Sequence, residues 1–137
     1  MQEAVRRNVK NVHFHSQVPT VEIPGVLAAS DALLVPLSGH DTFADFVPSK
    51  MIDFMAAGKP VILSARGESA RLLNRAQAGL VTAPEDPQAL AEAARWLSTH
   101  PQEAGQMGAR GREFARRRLR VTQAERLEQV LLEVTKP

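Results

Sequence analysis

The feature that most constrains this chain is a steady exchange of short apolar runs with helix-length amphipathic stretches along its 137 residues. Residues 32–37 read ALLVPL and residues 60–64 read PVILS, continuous apolar runs and not alternating ones. A strand of that kind is buried on both faces, as in a parallel sheet covered by helices on each side. Residues 12–16 and 80–83 read as two further strands, which makes four. Helices are expected over 20–29, 48–57, 68–77, 87–98, 101–118 and 123–134. Thr20 is the candidate N-cap of the first. Pro24 fits there only if the helix starts near Ile23, because proline has no N–H to donate inside a helix. Gly58 and Pro60 stop the second, and Gly79 closes the third. The expectation is a single α/β domain with a parallel sheet of about four strands, followed by C-terminal helices.

The chain has no cysteine, which excludes thiolate metal sites, disulfides and cysteine nucleophiles. No apolar run approaches the ~20 residues of a membrane span, and the first residues, MQEAVRRNVKNV, lack the apolar core of a secretory signal. Net charge is only +2, but it is uneven. Six arginines (110, 112, 116, 117, 118 and 120) and one acid, Glu113, fall within residues 105–120, leaving 11 basic against 14 acidic residues elsewhere. Nucleic-acid binding calls for basic residues interleaved with aromatics, and aromatics make up 4% with no tyrosine, so no nucleic-acid partner is expected. The basic run reads either as a solvated helix face or as a peripheral contact with anionic lipid.

In parallel α/β sheets, ligands gather beyond the carboxyl ends of the strands. Two loops qualify, residues 38–47 and residues 65–68. The first runs into the helix N-terminus at Pro48-Ser49, where free N–H groups and the helix dipole suit a phosphate, with Lys50 adding a full charge. Asp45 precedes that helix, and Asp53 lies roughly 6 Å along its axis from Ser49 at 1.5 Å per residue. Lys50, Asp53 and Ala57 share one face, and Met51, Ile52 and Met55 face the sheet. A carboxylate so placed can accept from both vicinal hydroxyls of a ribose; the plainer reading is a Lys50–Asp53 surface pair. His13 and His15 alternate along one strand, but a third metal ligand is missing, so no metal is expected. His40-Asp41 resembles a hydrolase dyad only by adjacency.

The stretch from Pro48 to Ile62, PSKMIDFMAAGKPVI, resembles the donor-site signature of the family 4, or group 1, retaining glycosyltransferases of the GT-B fold. NVHFHSQV from Asn11, LAASDALLVPL from Leu27, GLVTAP from Gly79 and MGARGR from Met107 resemble its flanks. The resemblance implies a Rossmann-like domain that binds a UDP- or GDP-linked sugar as substrate, with no cofactor and no metal. It implies that Asp53 holds the ribose hydroxyls, that Asp45 faces the donor sugar, and that amides around Pro48, Ser49 and Lys50 hold the diphosphate. The loop Ser16, Gln17 and Val18 would lie near the base. Both acids are aspartates where the family usually has glutamates, and no catalytic base is implied.

The resemblance also implies that residues 1–137 form part of a C-terminal donor domain, a truncated half of a GT-B enzyme. Its first two strand–helix units and the N-terminal acceptor domain would be absent. The strand at 12–16 would then pair with 32–37 or offer its edge to a second copy of the chain. By this resemblance the protein is a bacterial, cytoplasmic hexosyltransferase, peripheral at most to the inner membrane face. It would serve surface polysaccharide or glycoconjugate synthesis and be inactive alone. The competing expectation is a non-catalytic nucleotide-binding or self-associating half-domain; a flavodoxin-like domain is a weaker third.

Overall fold

The computed structural model describes residues 2–118, 124, 128 and 131–133. Its centre is a parallel sheet in the order β1 (Leu33–Pro36), β2 (Val61–Ser64), β3 (Gly79–Thr82). The register is continuous, with Val35 opposite Leu63 and Leu63 opposite Val81. The α/β expectation holds, with three strands in place of four. Residues 12–16 form no ladder, and β1 has β2 as its one neighbour among the described residues. Residues 12–16 do not pair with the open edge of β1 among the described residues, and Val12 and Phe14 stay about half exposed.

The connections β1–α3–β2 and β2–α4–β3 place α3 (Ser49–Ala56) and α4 (Glu68–Ala76) on one face of the sheet. There Met51 and Met55 of α3 and Leu73 of α4 are fully buried with Val35, Val61 and Leu63. The other face receives α5 (Pro87–Thr99), whose Ala93 and Leu97 pack on Ile62. Trp96 is half-buried beside them and stacks on His100 at 4.3 Å. Then α6 (Pro101–Arg116) crosses back over α3 and α4. Gly108 and Gly111 permit this crossing, because a Cβ at Gly108 would strike the carbonyl of Gly58. Most of the helix expected over 123–134 lies outside the described residues.

Two boundaries move for physical reasons. The helix expected over 20–29 divides into a 3-10 turn, Thr20–Glu22, and α2 (Ile23–Ala29), which puts Pro24 in the first turn where its missing N–H costs nothing. Thr20 does not cap it; no side chain does. The left-handed residue that ends α4 is Gln77 (φ 49°), so Gly79 is free to serve the sheet.

The basic stretch is largely engaged within the molecule. The Arg110 Nε–H donates to the Gln77 carbonyl at 2.9 Å and Arg112 to that of Ala57 at 3.1 Å, so α6 caps the C-terminal ends of α4 and α3. Arg116 and Arg117 grip Glu113 and hold its carboxyl down to about 2, and Arg118 lies over the Phe114 ring. Arg120 lies outside the described residues.

By contrast, none of residues 2–30 is buried, including the short helix α1 (Gln2–Arg6) and all of α2. Val5, Val21 and Val26 are at least half exposed, and Leu34 in β1 is 45% exposed on the face that α5 covers over β2.

Candidate functional site

Parallel strands deliver their following loops to one end of the sheet, and here three loops meet. They are residues 37–48 after β1, residues 65–67 after β2 and residues 83–86 after β3. Between them lies a cavity of about 80 Å3 whose lining includes Ser38, His40, Asp41, Phe43, Arg66 and Pro84.

The cavity walls are tied together. Gly67 has a left-handed φ of 73° and lies against Ala44 so closely that a Cβ there would strike the Ala44 carbonyl. The next residue, Glu68, donates its N–H to that same carbonyl at 2.7 Å. On the other side Gly39 N–H donates to Glu85 Oε1 at 3.2 Å. Glu85 itself sits at φ 60°, a conformation that costs a non-glycine residue of order 1 kcal/mol. Ser64 at the end of β2 donates its hydroxyl to the Ala83 carbonyl at 3.1 Å, joining the β2 and β3 ends. Inside the first loop, His40 Nδ1 accepts from Thr42 N–H at 3.3 Å and lies 2.8 Å from the Thr42 hydroxyl. With Nδ1 an acceptor, the ring proton of the neutral imidazole sits on Nε2.

Beside this cavity stands the start of α3. Pro48 is buried at the N-cap position and offers no capping side chain. The N–H groups of Ser49 and Lys50 therefore lack a side-chain cap; Pro48 itself has no N–H, so its expected amide role falls to those two. Lys50 and Asp53 are exposed, and the Lys50–Asp53 pair does not form among the described residues. The amphipathic reading of this helix holds, with Met51 and Met55 inward and Lys50 and Asp53 outward. Asp45 is exposed in the turn just before it.

Asp45 and Pro48 lie in the loop after β1 and Ser49, Lys50 and Asp53 in the first turns of α3, and none of the five lines the cavity. Ser16 and Gln17 are exposed and Val18 partly so, in a stretch without regular structure. Arg66 and Glu85 carry no motif. The signal for them is positional: each follows a strand that runs the same way as β1, in the second and third loops of one set.

A family model described as group 1 glycosyl transferases matches residues 1–100. Over 107 residues the chain is 34% identical to the D-rhamnosyltransferase WbpZ of Pseudomonas aeruginosa, covering 77% of this chain and 27% of that protein. Among solved structures, sucrose-phosphate synthase from Thermosynechococcus elongatus superposes with a TM-score of 0.77 at 24% identity, over 98% of this chain and 34% of that one. Anabaena HepE, solved in complex with UDP-glucose, gives 0.64 at 21% identity, over 93% of this chain and 35% of that one. The chain spans between about a quarter and a third of the length of these relatives. At such identities the two structures establish a shared fold.

Proposed function

The chain belongs to the group 1 glycosyl transferases, and from that premise we propose that it is the donor-binding part of a retaining enzyme of this family. Its substrate is a UDP- or GDP-linked sugar, and its setting is surface polysaccharide or glycoconjugate synthesis. The observation that carries this reading is the N-terminus of α3: uncapped amides at Ser49 and Lys50, an unpaired ammonium at Lys50 and an outward carboxylate at Asp53, all at the carboxyl end of the sheet. The amides and Lys50 hold the diphosphate and stabilise its charge as it departs. Asp53 accepts from the two ribose hydroxyls, Asp45 faces the sugar, and Ser16, Gln17 and Val18 border the base. These cationic groups need no metal or cofactor beside them. The chain alone binds donor but transfers nothing.

Calorimetric titration with UDP and with GDP tests this directly. One of the two should bind, and Asp53→Ala should weaken it by roughly ten- to a hundredfold, as expected for hydrogen bonds to a charged group at about 1.5–3 kcal/mol. Equal binding by both proteins would remove Asp53 from the site.

A self-associating half-domain is the second reading, favoured by the open edge of β1 and the exposed Leu34. It predicts a dimer in sedimentation equilibrium at micromolar concentration that Leu34→Lys disperses. A monomer throughout that range would dispose of it.

A further inference from the structure

We propose that a second cavity, between the last turn of α4 and one face of α6, binds a phosphate monoester carried by a soluble molecule or by a lipid headgroup. The assignment does not depend on the donor-binding reading. Arg75 and Ala76 close α4, a helix of nine residues that starts beside the strand-end loops, so they stand roughly 13 Å along its axis from those loops at 1.5 Å per residue.

Two helices supply the lining. Arg110, Glu113 and Phe114 of α6, with Arg117 just past its end, form one stripe at intervals of three and four residues. Arg75 and Ala76 face that stripe across about 240 Å3. At roughly 30 Å3 per water this is the space of about eight waters, room for a phosphate and the carbons that carry it. Three guanidiniums and one carboxylate leave the lining with a net charge of +2. A phosphate monoester carries about −1.5 to −2 at neutral pH, so the charges match. The carboxylate is already spent: Glu113 accepts from Arg116 at 3.0 and 3.2 Å and from Arg117 at 2.9 Å. The C-terminal end of α4 brings partial negative charge, and Arg110 covers it by donating its Nε–H to the Gln77 carbonyl at 2.9 Å.

That same bond fixes the Arg110 head and leaves its two terminal amino groups without a hydrogen bond among the described residues. Arg75 has one long contact, Nη2 to Glu68 at 3.4 Å. A guanidinium carries five donors in a rigid fork, so both residues keep most of theirs. A phosphate monoester presents three strong acceptor oxygens to such forks. A carboxylate has two oxygens in one plane and a single charge, too few for three guanidiniums. Phe114 and Ala76 add an apolar wall, and Arg118 lies over the Phe114 ring at 3.8 Å.

The test uses the full chain with glycerol 3-phosphate, with acetate, and with phosphatidylcholine vesicles containing either phosphatidic acid or phosphatidylglycerol. In a 15N-resolved titration glycerol 3-phosphate should move the amides of Ala76, Arg110, Phe114 and Arg117 and leave Ser49–Asp53 still; acetate should move neither set. Arg75→Gln should weaken binding about tenfold, the loss of a charge-assisted hydrogen bond. Arg71→Gln removes the same charge from the same helix outside the lining and should leave binding unchanged. Arg117→Gln replaces Arg75→Gln if the latter loses the parent circular dichroism. Phosphatidic acid has a monoester headgroup and phosphatidylglycerol a diester. Retention on phosphatidic acid vesicles alone, lost in Arg75→Gln, identifies a lipid source, and binding of glycerol 3-phosphate without vesicle retention identifies a soluble one. The site is overturned if neither monoester binds, if acetate or phosphatidylglycerol does as well, or if glycerol 3-phosphate moves Ser49–Asp53 in place of the cavity amides. It is overturned equally if Arg71→Gln costs as much as Arg75→Gln, because diffuse surface charge then accounts for the attraction.

Discussion

Gly79→Val should leave the chain without a cooperative thermal transition, and Gly79→Ala should lower the midpoint by roughly 5–10 °C, read by circular dichroism. Gly79 opens β3 directly opposite Val61 of the central strand. A Cβ at Gly79 would fall on the backbone of Val61, against its carbonyl oxygen and nitrogen. No rotamer change relieves that clash, because the obstacle is the main chain of β2. Nor can β2 retreat, since Val61 and Leu63 are fully buried beneath α3 and α4. Forcing extra methyls into a packed core costs about 1–3 kcal/mol, each worth a few degrees in a domain of this size. A β-branched side chain would also have to part β2 from β3, against a total stability on the order of 5–15 kcal/mol. Gly105→Ala is the control with the opposite sign. Nothing lies within 4 Å of its position in α6, so an alanine there should raise the midpoint through helix propensity alone. If Gly79→Val melts like the parent, the β2–β3 register described above is wrong.

Gly79 also shows where a sequence stops being readable. In the chain it looks like a helix terminator, because glycine most often ends a helix. The terminator is Gln77, and the glycine serves the close approach of two backbones, which no local pattern reveals. The apolar runs at 32–37 and 60–64 were legible as strands, but two-sided burial holds only for β2; Leu34 and Pro36 leave one face of β1 exposed. The inward face of α3 was legible because Met51 and Met55 are a turn apart. Residues 12–16 have the composition of a strand, but composition does not decide pairing, and they do not join the open edge of β1. The arginines of α6 looked like one basic face. Arg110 and Arg112 turn out to cap helices that lie 33 and 55 residues earlier in the chain, contacts that only the crossing of α6 creates. For the candidate site, Pro48–Asp53 stands out through the resemblance to the family signature, where spacing alone reads as an ordinary helix start. Arg66 and Glu85 do not, since the loops that carry them meet the first loop only because three parallel strands end on one side.

The largest effect on activity is expected from supplying more polypeptide. The chain alone should show no sugar transfer above background. The same residues grafted in place of the matching stretch of WbpZ should restore transfer from the sugar nucleotide that WbpZ itself uses, and Asp53→Ala in the graft should abolish it. The reason is surface. Residues 2–30 bury nothing, Val21 and Val26 are exposed to water, and among the described residues β1 presents an unpaired edge with Leu34 bare beside it. A surface of that kind is better satisfied by a strand and its helix than by solvent. The relatives, three to four times longer than their matched stretches, have the length to provide both. Sugar transfer by the isolated chain would refute its role as one part of an enzyme. A silent graft whose circular dichroism matches that of WbpZ, together with a stable dimer of the free chain, would favour the self-associating module, because the open edge would then have found its partner in a second copy.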